Sequence, residues 1–126
     1  MATTSIGSSG VTFPDATTLA TSAGSAKAWV SYNATTSTIL ASYNVSSVTL
    51  NSAGKQTVNF TTAFSDANYC IAGSQAVNSG SGQTGIGIGD TGTSGTNPTT
   101  TACQIYTANV GGAYTNSTRM SAAFYR

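Results

Sequence analysis

The chain has 126 residues, enough for one domain with a single core. Charged residues make up 6% and the net charge is +1, so no basic tract exists of the kind nucleic-acid binding needs. Glu is absent, Leu is scarce, and about half the chain is Ser, Thr, Asn or Gly, an alphabet that disfavours helices and favours strands and turns. Disorder is the competing reading of such a composition, but Trp29, Phe13, Phe60, Phe64, Phe124 and 6 tyrosines are spread along the chain and can nucleate a core.

Residues 1–25 read as an extended N-terminal arm. Its large apolar side chains are Ile6, Val11, Phe13 and Leu19 besides Met1, too few for a core of their own. Gly7, Gly10, Pro14 and Gly24 are expected to interrupt any regular element there. The start of the chain has neither a basic segment nor an apolar run, so it reads as neither a signal peptide nor a membrane span. Synthesis and folding in a cytoplasm are expected. Cys70 and Cys103 are then thiols, with a disulfide between neighbouring strands as the alternative.

From Ala26 to Arg126 the pattern is strands and turns. Ala28, Val30 and Tyr32 alternate with Trp29, Ser31 and Asn33. Thr38 to Asn44 follows, with Ile39, Ala41 and Tyr43 on one face. Ser46 to Leu50 extends beyond a bend, with Val48 and Leu50 sharing a face. Asn51 to Gly54 is a four-residue hairpin turn with glycine placed for positive φ. Gln56 to Thr62 points Val58 and Phe60 inward, and Ser65 to Asn68 turns. Tyr69 to Val77 sets Tyr69, Ile71 and Gly73 against Cys70 and Ala72. Ile86 and Ile88 share a face of a short glycine-rich strand. Thr100 to Ala108 sets Cys103, Ile105 and Thr107 against Ala102, Gln104 and Tyr106. After a turn over Val110 to Ala113, Arg119 to Tyr125 directs Met120, Ala122 and Phe124 inward. About seven or eight strands at this spacing predict an antiparallel β-sandwich or barrel. The expected core is Trp29, Val58, Phe60, Ile71, Ile105 and Phe124.

The inventory of reactive groups predicts no catalytic residue, no metal site and no cofactor. Histidine is absent, which removes Ser-His and Cys-His pairs. Asp15, Asp66 and Asp90 are the only side-chain carboxylates, and the latter two sit in turn contexts where Asp bonds its own backbone. Two cysteines cannot make a zinc centre alone. Gly85 to Gly89 is followed by Asp90 with no helix signal, so it is not a dinucleotide fingerprint. Tyr106, Tyr114 and Tyr125 fall off the inferred core face or in a loop. They suit a contact with a neighbouring subunit or, alternatively, a carbohydrate platform. The Gly/Ser/Thr-rich loops Asn78 to Thr84 and Asp90 to Pro98 are contact loops or plain solvated connectors.

Several stretches carry a resemblance. They are Lys27-Ala-Trp-Val-Ser-Tyr-Asn33, Leu40-Ala-Ser-Tyr-Asn-Val-Ser-Ser-Val48, Thr57-Val-Asn-Phe-Thr-Thr-Ala63 and Ser65-Asp-Ala-Asn-Tyr69. In that order they resemble a domain found near the C-termini of many tailed-phage fibre and appendage proteins. Gly10 to Leu19 resembles the connector that often precedes it. The likeness spans roughly residues 6–77, loosens from Asn78 to Asn97 and returns at Ala123 to Arg126. It implies an all-β, usually trimeric virion structural protein. On that reading the chain is a homotrimeric tail-fibre component, made in the host cytoplasm and assembled into the virion, that helps attach the particle to a host surface glycan or protein. The arm, through Val11, Phe13, Pro14 and Leu19, would join other virion proteins. The size also fits a capsid cement or decoration protein, and a free carbohydrate-binding module is a third possibility. Neither nucleic-acid binding nor membrane insertion is expected.

Overall fold

The computed structural model describes residues 5–7, 10–12, 18–19, 25–76, 83–88, 98–109 and 111–126. Every element among them is a strand, and every named strand pair is antiparallel. Three short strands come first: β1 (Ser5–Gly7), β2 (Gly10–Thr12) and β3 (Thr18–Leu19). They form a sheet of their own in the order β1-β2-β3. The expectation that glycine would prevent regular structure here is therefore corrected. Gly7 and Gly10 lie opposite each other as a pair of β1 and β2, so these glycines belong to strands rather than break them. The same pairing sets Val11 opposite Leu19. Phe13 and Pro14 lie outside the described residues.

Eight strands follow: β4 (Ala26–Asn33), β5 (Thr38–Tyr43), β6 (Val45–Ser52), β7 (Lys55–Phe60), β8 (Cys70–Gln75), β9 (Gln83–Ile88), β10 (Ala102–Asn109) and β11 (Met120–Tyr125). They make two four-stranded sheets, β5-β4-β11-β8 and β6-β7-β10-β9. The first sheet contributes Ala28, Val30, Tyr32, Met120, Ala122 and Phe124 to a shared core, and the second contributes Val45, Val48, Val58, Phe60, Cys103 and Ile105. The fold is thus a β-sandwich. Phe60 is the hub where the sheets meet. Its ring lies 4.7 Å from Phe64, 4.9 Å from Phe124 and 5.8 Å from Tyr69, each pair edge to face. Such pairs each add about 0.5–1.5 kcal/mol beyond the area they bury.

Most inward positions match the alternation. Val58, Phe60, Ile105 and Phe124 are buried, and Ile71 packs partly buried against them. Trp29 is the correction. It is 40% exposed, because β4 turns Ala28, Val30 and Tyr32 inward and leaves Trp29 on the outer face. Two bulges produce further corrections. Ser31 pairs with Ala41 but Tyr32 pairs with Ile39, so Leu40 is an extra residue on β5. Its insertion reverses the phase: Ile39 packs against the core while Ala41 and Tyr43 are exposed. On β6, Val45 pairs with Phe60 and Ser47 with Asn59. Ser46 is the extra residue, and Val45 and Val48 both face the core as a result. Leu50, expected to share the face of Val48, is exposed.

The β6–β7 turn is tighter than expected. Ser52 pairs with Lys55, leaving Ala53 and Gly54 as the loop. Gly54 has φ +66°, and a Cβ there would sit 2.4 Å from the Thr107 carbonyl oxygen. Glycine is required at this point by both conformation and space. Beyond it, the segment from Thr115 to Ser117 closes that end of the sandwich. The Asn116 Oδ1 accepts hydrogen bonds from the Gly54 N–H at 2.7 Å and from the buried Gln56 Nε2 at 3.1 Å. Thr107 Oγ1 donates to the Thr115 carbonyl at 2.6 Å, and Ser117 Oγ donates to those of Ala76 and Arg119 at 2.8 and 2.9 Å.

A candidate surface groove at one end of the sandwich

Among the described residues, the opposite end carries a surface groove. β4 begins there, β5 and β7 end there, and the chain finishes there after β11. The hinge is Asn44, the single residue between β5 in one sheet and β6 in the other. It has φ 54°, a left-handed conformation that Asn tolerates better than most residues. Its side-chain amide donates to the carbonyls of Lys27 and Thr62, both at 3.1 Å, and its Oδ1 accepts from the Thr62 N–H at 2.7 Å. Its own carbonyl accepts from the Thr61 N–H at 3.2 Å. One residue therefore pins three strand ends.

The segment from Thr61 to Ser65 is held equally firmly further along. The Phe64 N–H donates to the Thr100 carbonyl at 2.8 Å, and the Phe64 ring lies 4.8 Å from Tyr69. Tyr69 donates its hydroxyl to the carbonyls of Thr99 and Ala102 at 3.0 and 3.1 Å. Burial pushes its phenol well above the ordinary tyrosine value. Asp66 then closes the turn. Its Oδ1 accepts from the Asn68 N–H at 2.7 Å, as expected for Asp in a turn. The sequence had not signalled its ion pair with Arg126, whose Nε lies 2.9 Å from each carboxylate oxygen and whose Nη2 also donates to Oδ2. The hydrogen bonds from Arg126 and from the Asn68 N–H hold the Asp66 carboxyl below its ordinary value. Stability from the pair is therefore present at neutral pH and lost as the pH falls through that lowered value.

These anchors frame a groove of about 660 Å³ whose rim includes Lys27, Tyr43, Thr61, Thr62, Ser65 and Arg126. Tyr43 stands 59% exposed on one wall. It pairs across the sheet with Trp29, which borders a second depression of about 550 Å³ on the outer face of β4, β11 and β8. The floor of that depression is small: Ser31, Ala72, Ser74, Ser121 and Ala123. The two hollows are therefore joined through the Trp29–Tyr43 pair. The other outer face is different in kind. There, on β6 and β7, Asn59 Nδ2 donates to Ser47 Oγ at 3.0 Å, and Asn51 Nδ2 donates to Thr57 Oγ1 at 2.7 Å.

The tyrosines singled out from sequence lie elsewhere. Tyr106 and Tyr114 do come together, with ring centroids 5.5 Å apart and Lys55 Nζ 4.6 Å above Tyr114. Tyr106 is off the core face as expected, but it is buried in its own chain, with its hydroxyl donated to Gln104 Oε1 at 2.7 Å. Its ring is thus not open to a second subunit or a sugar. Tyr114 is 43% exposed. Tyr125 sits half-buried on β11 in the other sheet, opposite Cys70 and Ala26, and does not join the other two. Asp90 and most of the loops Asn78 to Thr84 and Asp90 to Pro98 lie outside the described residues.

The cysteines are free thiols, Cys70 exposed and Cys103 buried. Burial pushes the Cys103 thiol up to about 11. Among the described residues no cluster of three or more His, Cys, Asp or Glu could hold a metal ion, and no helix is long and apolar enough to cross a membrane. No family model, no curated protein and no solved structure matches the chain.

Proposed function

We propose that this chain is a non-enzymatic virion structural protein of a tailed bacteriophage, a homotrimeric tail-fibre or similar appendage component that contributes to host attachment. The observation that carries attachment is the pair of linked hollows around Trp29 and Tyr43, an exposed aromatic surface on a rigid sandwich. Aromatic side chains exposed beside a concavity are the usual anchors of recognition surfaces. The sequence resemblance to phage fibre domains supports the virion setting. The arm, residues 1–25, is then the joint to other virion proteins, and residues 26–126 are the projecting domain.

Self-association is favoured by the scarcity of charge, since two copies meet little electrostatic repulsion. A trimer of 12.6 kDa chains has a mass of about 38 kDa, and light scattering at micromolar protein should return it; a mass of one chain would remove the trimer. Attachment is tested by competition. Purified protein in excess should slow adsorption of the phage that encodes it to its host. Unchanged adsorption at saturating protein would contradict the attachment role.

A further inference from the structure

We infer that the hollow beside Trp29, on the outer face of β4, β11 and β8, binds an uncharged saccharide, with Trp29 as the platform on which the sugar ring stacks. The inference rests on the attachment reading and names the ligand class of that site. It starts from strand register. One cross-strand row runs Tyr43, Trp29, Ala123, Ala72, and the row beside it runs Ala41, Ser31, Ser121, Ser74. Side chains two apart on a strand share a face, so both rows look outward together. The face therefore carries an apolar band, two exposed aromatic rings and two methyl groups, next to a band of three hydroxyls. Neighbouring strands lie about 4.8 Å apart, which sets the spacing of those hydroxyls. A pyranose is divided in the same way, with C–H groups that pack on an aromatic face and hydroxyls around its edge. Serine both donates and accepts, which suits a partner whose hydroxyls do both. Ser121 Oγ lies 3.5 Å from Ser31 Oγ, a long contact that leaves acceptor capacity on each.

The surroundings disfavour other occupants. At about 550 Å³ the hollow has the size of a small-ligand site, and none of the residues that line it is charged. An ionic group brought onto it loses hydration and gains no counter-charge. The floor lies largely on β4 and β11, the two central strands of the sheet, whose backbones are paired on both sides. An extended peptide finds no strand edge to add to there. The platform is also preorganised. Ala28, Val30 and Tyr32 anchor β4 in the core from the inner side, so little backbone ordering is left to be done on binding.

The test uses the full-length purified chain. Trp29 is its only tryptophan, so tryptophan emission reports on this hollow alone. Fluorescence and calorimetric titrations use three matched pairs of probes: methyl glucoside with methyl glucuronide, methyl galactoside with methyl galacturonide, and tri-N-acetylchitotriose with chitotriose. At least one neutral probe should bind and should quench or blue-shift the emission, and its charged counterpart should bind roughly tenfold more weakly or not at all. Trp29→Ala should weaken binding, read by calorimetry, about tenfold or more with the thermal midpoint little changed, because the ring stands on the outer face. Ser74→Ala should weaken it about threefold. The inference is overturned if no neutral probe binds, if the charged probes bind equally well, if binding leaves the emission unchanged, or if either variant binds like the parent. A light-scattering mass that falls on Trp29→Ala would make the face a contact between copies and overturn it too. Binding by a protein that labelling fails to find on particles would keep the saccharide site and sink the virion reading. A protein found on the tail that binds none of the probes would do the reverse.

Discussion

Asn44 concentrates more of the architecture than any core side chain. It occupies the left-handed region at φ 54° and directs its amide to three backbone groups around the groove. Asn44→Ala leaves those groups without their partner and puts a Cβ residue without a polar tip into a conformation it rarely adopts. The expected loss is about 1–3 kcal/mol in urea unfolding. Asn44→Gly, which relieves the backbone but loses the same bonds, should fall between the two. Equal midpoints for parent and alanine variant would mean that the corner is held by something else. The thiols report the same kind of local fact. Cys70 is exposed and Cys103 is 1% exposed, with its thiol pushed up to about 11. An aromatic disulfide reagent at neutral pH should titrate one thiol in the native protein and the second only on unfolding. Two fast equivalents would place Cys103 outside the core, and none would point to a disulfide.

At the level of strands, the decisive quantity is phase. Along β7, β10 and β11 the alternation predicted the inward residues because no bulge interrupts the run through Val58 and Phe60, Cys103 and Ile105, or Met120, Ala122 and Phe124. The glycine of the β6–β7 turn was legible for the same local reason, since only a residue without Cβ fits at Gly54. β4 shows the limit. Its alternation offers two faces, one with the largest apolar residue, Trp29, and one with Ala28, Val30 and Tyr32. Size pointed to the first, while the partner sheet received the second. On β5 and β6 the extra residues Leu40 and Ser46 shift the phase by one, and nothing in a run of Ser, Thr and small apolar residues marks a bulge. The groove was illegible for a different reason. Lys27, Tyr43, Thr61 and Arg126 are far apart in sequence and meet only through the sheet order. Two truncations separate the faces. Phe60→Ala removes the ring shared by both sheets and should cost about 3–5 kcal/mol. Trp29→Ala should leave stability within about 1 kcal/mol, and the fluorescence of the parent should report a tryptophan in contact with water. A large loss on Trp29→Ala would restore the expectation that this ring is in the core.

For the molecule as a whole, the asymmetry between its two outer faces is the main functional clue. On one face, β6 and β7 pair polar side chains with each other, through Asn51, Thr57, Asn59 and Ser47. The other presents Trp29, Tyr43 and Leu40 beside small residues and opens into the groove. A protein with so little charge has few other means of recognising a partner, and the proposal of a phage appendage gives that face a task at the tip of the particle. The most direct measurement is the position of the chain on the virion. Gold-labelled antibody raised against the purified protein, imaged on intact particles by electron microscopy, should decorate the tail appendages and leave the head bare. Label distributed over the head shell would contradict the appendage and establish a decoration protein, and particles that carry no label would remove the protein from the virion altogether.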